Sequence, residues 1–80
     1  MGNHMITSRT PGVFYHRPSP DAEPYVTEGA AVAEGDTVGL VEVMKTFHEV
    51  KADVAGTVRT ILVDSEDEVS IGQDLVELDT

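Results

Sequence analysis

The residue best placed to do chemistry is Lys45, within the run Leu40–Val50, which reads LVEVMKTFHEV. The run has the form of two short strands joined by a sharp turn, with Met44 and Lys45 at the tip. Val41, Glu42 and Val43 lead in. Beyond the turn, Phe47, Glu49, Lys51 and Asp53 alternate with His48, Val50 and Ala52, the period-two pattern of a half-buried strand. With Val50 and Ala52 turned inward, Phe47 falls on the outer face beside the tip. The sequence thus presents one lysine at the apex of a hairpin: a point cation as it stands, and a nucleophile once its proton is removed. Met44 next to it suits adaptable recognition, because methionine is unbranched and polarizable.

Other chemistry is thin. His16 and His48 stand alone, with no metal-ligand spacing around them, and read as strand-surface histidines. There is no nucleophile–base constellation, phosphate-cradling glycine loop or paired-carboxylate site. The chain has no cysteine, which excludes disulfides and thiolate-held metals. Fifteen acidic residues against five basic ones give a net charge of −10. That balance argues against nucleic acid, where binding needs clustered lysine and arginine, and against anionic membranes. A solvated acidic surface accounts for it by itself, with electrostatic steering toward basic partners as the second reading. No apolar run approaches the roughly 18 residues of a membrane-spanning helix, and no signal-peptide pattern is present. The expectation is a soluble, cytoplasmic protein.

The elements that must hold Lys45 up are strands. Met1–His4 are read as an expression-tag remnant and set aside from the fold, which leaves one small domain over residues 5–80. Ile6–Arg9 is expected as a short edge strand and Val13–Tyr15 as the next. Three prolines between His16 and Pro24 remove backbone donors, so residues 16–24 are expected as a loop. Strand is expected to resume at Tyr25–Thr27, then Thr37–Val43, Thr57–Val63 and Leu75–Leu78, with turns at Glu28-Gly29, Glu34-Gly35 and Gly72-Gln73. No segment keeps a 3.6-residue apolar period. An internal repeat adds to this. An offset of 37 places Val26 on Val63, Val32 on Val69, Gly35 on Gly72 and Val38 on Leu75. Pro11-Gly12-Val13 matches Ala55-Gly56-Thr57 at an offset of 44, so the first half holds seven extra residues, in its proline-rich stretch. The expected fold is all-β: a flattened barrel or sandwich of two antiparallel sheets with pseudo-twofold symmetry. The lysine hairpin joins the halves.

At this point the residues match a known family. VEVMKTF closely resembles the segment around the modified lysine of biotinyl domains. FYHRPSPDAEPYV resembles the insertion called the thumb in biotin carboxyl carriers of the bacterial acetyl-CoA carboxylase type. GDTVGLVE and AGTVRTILVDSEDEVSIGQDLVELD follow the same pattern, so the resemblance runs from about Thr10 to Asp79. It implies biotin attached through an amide to Lys45. A biotin protein ligase would read Glu42, Val43, Met44, Thr46 and Phe47. Residues Pro18, Ser19, Pro20, Asp21, Ala22, Glu23 and Pro24 would form the thumb, which in similar proteins lies against biotin and restrains it. Val43 stands where alanine is usual, Thr46 where a larger apolar residue is, and Arg17 and Glu23 depart from the thumb pattern.

The implied role is that of a carrier and not a catalyst. A monomeric domain would move a carboxyl group between a biotin carboxylase and a carboxyltransferase, in the acetyl-CoA carboxylase of fatty acid synthesis. A solvated lysine has a pKa of about 10.4, and about one in two thousand is neutral at pH 7. Amide formation therefore needs a ligase to desolvate and deprotonate the amine, and the turn's task is to present it. Two other readings stand beside this one. A lipoyl carrier would share the fold, although lipoyl domains show Asp-Lys-Ala where this chain has Met-Lys-Thr. An unmodified β-sandwich adaptor would dock through Met44 and Phe47.

Overall fold

A strand is stable only when its backbone amides and carbonyls find partners. Here the two halves of the chain supply them to each other. The structure, a computed structural model, describes residues 2–80. Its first half contains β1 (Asn3–Thr7), β2 (Gly12–Tyr15), β3 (Ala31–Val32) and β4 (Thr37–Val43). The second contains β5 (Thr46–Lys51), β6 (Gly56–Ile61), β7 (Glu68–Val69) and β8 (Asp74–Asp79). One antiparallel sheet has the order β1-β8-β6-β3 and the other β5-β4-β2-β7. Each half therefore lends two strands to each sheet, and neither sheet forms from one half alone.

The repeat expected from the glycines and valines is carried through the hydrogen bonds. Phe14 N–H donates to Asp67 O at 2.9 Å, and Val58 N–H donates to Ala30 O at 2.8 Å, the same bond with the halves exchanged. Ser8 N–H to Gln73 O (2.9 Å) is matched by Ala52 N–H to Asp36 O (2.8 Å). The core repeats as well. Val32 and Val69, Val38 and Leu75, and Val41 and Leu78 are all buried at the offset of 37. One pair of sites is filled differently. Phe14 and Val58 are equivalent, as are Gly39 and Val76. A Cβ on Gly39 would stand 2.6 Å from the Phe14 ring, so glycine makes room for the aromatic side chain. The second half uses two valines at the same sites, which divides a similar volume differently.

Four expectations are corrected. The first strand is Asn3–Thr7 and not Ile6–Arg9; Asn3 and His4, set aside from the fold, pair with Asp79 and Leu78. Strand pairing is a backbone property, so any residue beside a free edge can join it. Met1 lies outside the described residues. Tyr25–Thr27 is not strand: Pro24 has no amide, and Tyr25 N–H is committed to His16 O at 2.9 Å, closing the base of the 16–24 loop. The sixth strand ends at Ile61, and Val63 is buried just beyond it. Along β5 the inward row holds only from Val50 onward, because the strand lies at a sheet edge and His48 is exposed. The hairpin itself is as expected. Its twofold counterpart is the pairing of the chain ends, where Gly2 N–H meets Thr80 O at 3.3 Å and Thr80 N–H meets Gly2 O at 2.9 Å.

Candidate functional site

β4 and β5 pair without a break from Leu40↔Glu49 to Val43↔Thr46, which leaves Met44 and Lys45 as a two-residue turn. Both residues are left-handed, with φ of 51° and 68°. This is the shape of a type I′ turn, whose twist matches that of the flanking strands. Asparagine and glycine usually fill such a turn, because a side chain there costs roughly 1 kcal/mol per residue. The chain keeps a methionine and a lysine instead, so the cost is borne at the site of interest. Met44 is 93 % exposed. Lys45 is exposed, and among the described residues no acid pairs with its ammonium.

Alternation along the strands then sorts the neighbouring residues. Val43 packs against the core, while Thr46 is exposed. Glu42 and Phe47, paired across the strands, lie on the outer face of the sheet. Phe47 does not fold into the core. It is 54 % exposed, and its ring lies 5.9 Å from that of Tyr15 on β2. The Tyr15 hydroxyl donates to Glu42 Oε1 at 3.1 Å. That hydrogen bond, then partial desolvation, then the negative charges of Glu42 and Glu66, hold the Tyr15 pKa above the ordinary tyrosine value. Tyr15 was not singled out in the sequence. Its only signal there is the adjacency of an outward-facing aromatic to the proline-rich loop.

The 16–24 loop rises beside this row. His16, read as a strand-surface histidine, pins its base: the ring packs edge-on to Phe14 at 5.2 Å, and Nε2 bonds Val63 O at 2.7 Å. Its backbone N–H also donates to Ser65 Oγ at 3.0 Å. Arg17, Pro18, Ser19 and Pro20 form one wall of a cleft of about 510 Å³. Tyr15, Glu42, Phe47, Ser65 and Glu66 complete its lining. Asp21, Ala22, Glu23 and Pro24 do not line it; Ala22 N–H turns back to Ser19 O at 3.1 Å and shapes the tip. The cleft brings together the loop, two residues beside the lysine turn, and Ser65 and Glu66 of the segment after β6. Among the described residues no cluster of histidines and acids has the form of a metal site.

A family model described as biotin-requiring enzyme matches residues 4–78. The chain belongs to that family. The chain is similar to the biotin carboxyl carrier protein of acetyl-CoA carboxylase from Haemophilus influenzae. The two are 34% identical over 79 residues, covering 99% of this chain and 51% of that protein. The protein of the same name from Chlamydia trachomatis is 40% identical over 74 residues, covering 92% of this chain and 45% of its own length. The chain thus spans about half the length of these relatives. Among solved structures, the urea carboxylase of Kluyveromyces lactis superposes with a TM-score of 0.80 at 27% identity, over 98% of this chain and 6% of that one. A single-chain, multi-domain long-chain acyl-CoA carboxylase shares the fold, with a TM-score of 0.79 at 22% identity over 95% of this chain and 7% of that one.

Proposed function

We propose that this domain is a biotin carboxyl carrier, with biotin joined through an amide to Lys45. The observation that carries the reading is an exposed lysine without an acidic partner, on the turn that joins two pseudosymmetric halves of a biotin-requiring family fold. The surroundings fit the group. The amine is free, and beside it lies a cleft with two aromatic rings, two prolines and several hydrogen-bonding side chains. When bound, biotin supplies a ureido nitrogen that takes up a carboxyl group in one active site and gives it up in another.

The chain's own residues present, restrain and tether. The turn fixes the lysine backbone and leaves its stem free to extend. A biotin protein ligase removes the proton from the ammonium, and the nitrogen lone pair attacks the carbonyl carbon of an activated biotinyl group, forming the amide as the activating group leaves that carbon. Glu42, Val43, Met44, Thr46 and Phe47 are the residues we assign to ligase recognition. Held by Tyr15, Glu42 offers a carboxylate in a fixed place, whereas Val43 acts from the core side by setting how β4 enters the turn. Covalent attachment replaces two bimolecular encounters with encounters at raised effective concentration. The partners are then a biotin carboxylase and a carboxyltransferase, and the relatives' names favour acetyl-CoA as acceptor. The domain carries and does not catalyse.

Intact mass after co-expression with a biotin protein ligase, followed by peptide mapping, tests this reading. One biotinyl group on Lys45 is expected. An unmodified mass beside a competent ligase overturns it, and a lipoyl group gained in a lipoylating host transfers the site to the other carrier class.

A further inference from the structure

Two places in the chain share one backbone shape and differ in residue. Gly29 and Glu66 stand 37 residues apart, the offset of the repeat, and both are left-handed, with φ of 94° and 72°. Both close the same turn: Gly29 N–H donates to Val58 O at 2.7 Å and Glu66 N–H to Phe14 O at 2.6 Å. Glycine adopts this conformation without a steric penalty, and glutamate does not. The backbone is therefore served by glycine, and what Glu66 adds is a side chain. At Gly29 an added Cβ would meet nothing within 4 Å, so lack of space does not explain the difference. What differs is the surroundings. Only the first half has the seven-residue insertion, and only Glu66 lines the cleft that the insertion forms.

Within that cleft the acceptors are unequal. The Glu42 carboxylate already takes the Tyr15 hydroxyl. Among the described residues the Glu66 carboxylate accepts no side-chain hydrogen bond and forms no ion pair. It lines the same cleft as Tyr15 and Glu42. Arg17, which lines the same cleft, has no acidic partner among the described residues either, and Ser19 adds a hydroxyl to the lining. The cleft therefore offers an open anionic acceptor and open donors together with two aromatic side chains. A cyclic urea has the complementary pattern: ring N–H donors on the edges and one carbonyl acceptor between them.

We propose that Glu66 is a specificity-determining residue of this cleft, its carboxylate accepting a ring N–H of the cyclic urea while Arg17 and Ser19 serve the carbonyl. The inference rests on the carrier reading for how the ring arrives. It adds a residue outside the thumb, in the loop after β6, as the second jaw. A charge-assisted hydrogen bond at a partly solvated site gives modest retention, which suits a tethered ring that must leave the cleft to work.

The test uses the domain biotinylated by a ligase and checked by mass, compared with the unmodified domain by amide NMR. Biotinylation is expected to shift the amides of Arg17, Ser19, Ser65 and Glu66. Glu66→Gly restores the residue that the twofold partner carries, so it folds. Its biotin-induced shifts at Arg17 and Ser19 are expected to fall by about half or more, and streptavidin is expected to capture the tethered biotin about two- to threefold faster. Glu66→Gln, an uncharged acceptor, is expected to lie between. Equal shifts and equal capture in wild type and Glu66→Gly overturn the proposal. A domain that no ligase modifies overturns the carrier reading instead. In that event, titration of the unmodified protein with 2-imidazolidinone still decides the cleft. Shifts at Arg17, Ser19 and position 66 that weaken in Glu66→Gly support the assignment, and shifts that are absent or indifferent to residue 66 refute it.

Discussion

The two halves of this molecule fold alike and carry different things. β1–β4 and β5–β8 exchange strands, share turn hydrogen bonds and bury equivalent residues. The first half alone has the 16–24 loop, and the link between the halves alone has Lys45. Because the architecture is present twice, agreement between the halves marks what the fold needs, and disagreement marks what the fold leaves free. Ser8 and Ala52, buried at equivalent sites with equivalent backbone bonds, agree in this sense. Glu66 and Gly29 disagree, as do the 16–24 loop and its missing counterpart. Phe14 with Gly39, against Val58 with Val76, is a third kind, a difference that cancels within the core.

Substitutions sharpen or break this comparison. The largest effect belongs to the unique residue: Lys45→Ala is expected to abolish acylation by a biotin protein ligase and to leave the melting temperature within about 2 °C. Intact mass and a thermal melt check both halves of that statement, and a coupled loss would make the lysine part of the fold. Next come the duplicated glycines of β2 and β6. A Cβ at Gly12 would run into Glu42 O, and one at Gly56 would stand 2.6 Å from Asp79 O. Gly12→Ala and Gly56→Ala are each expected to cost about 2–3 kcal/mol in urea unfolding. If only one is tolerated, the symmetry is looser than the backbone implies.

The cancelling pair makes a double-mutant cycle. Phe14→Val alone opens a cavity and Gly39→Val alone overfills one, at a cost of about 1–3 kcal/mol each. Together they rebuild the second half's arrangement in the first, so the double mutant is expected to be more stable than the two costs predict, by about 1–2 kcal/mol. Simple additivity would break the claim of compensation. Deleting Pro18–Pro24 is expected to move the melting temperature by only a few degrees, since the other half closes without such a loop and loop length carries little free energy; circular dichroism reads the outcome. The smallest effect is a titration. Tyr15 ionises above the usual value of about 10, and Glu42→Gln is expected to lower its midpoint, followed by phenolate absorbance. The sign follows from a raised folded-state pKa. Whatever stability the neutral hydroxyl contributes is intact below pH of about 10 and is lost as the pH rises through the folded-state value.

Much of the fold was legible in sequence because it is local or repeated. Alternation around Met44-Lys45 predicted the hairpin, three prolines predicted the loop, and glycines and valines at a fixed offset predicted the twofold. What was not legible depends on partners far away in the chain. Nothing in Asn3 and His4 announces that Asp79 and Leu78 will pair with them. Tyr25 has strand propensity, but its amide is taken by His16 O. For the site, the lysine and the loop could be named in advance. The convergence of Arg17, Tyr15, Glu42 and Glu66 on one cleft could not, because it is made by the β2–β4 and β2–β7 pairings and not by spacing in the sequence.

The pairing of Gly2 with Thr80 makes the backbone close to a ring. By symmetry these residues stand where Thr46 and Val43 stand at the lysine turn, so two residues between Thr80 and Gly2 suffice to seal it. A sealed chain would restrict the unfolded ensemble, an entropic gain on the order of 4 kcal/mol for a loop of this length. It would also have no required starting point. The ring can be opened instead within the exposed turn at Glu34-Gly35, and the order in which the strands are synthesised then becomes a matter of choice while the lysine stays on its hairpin.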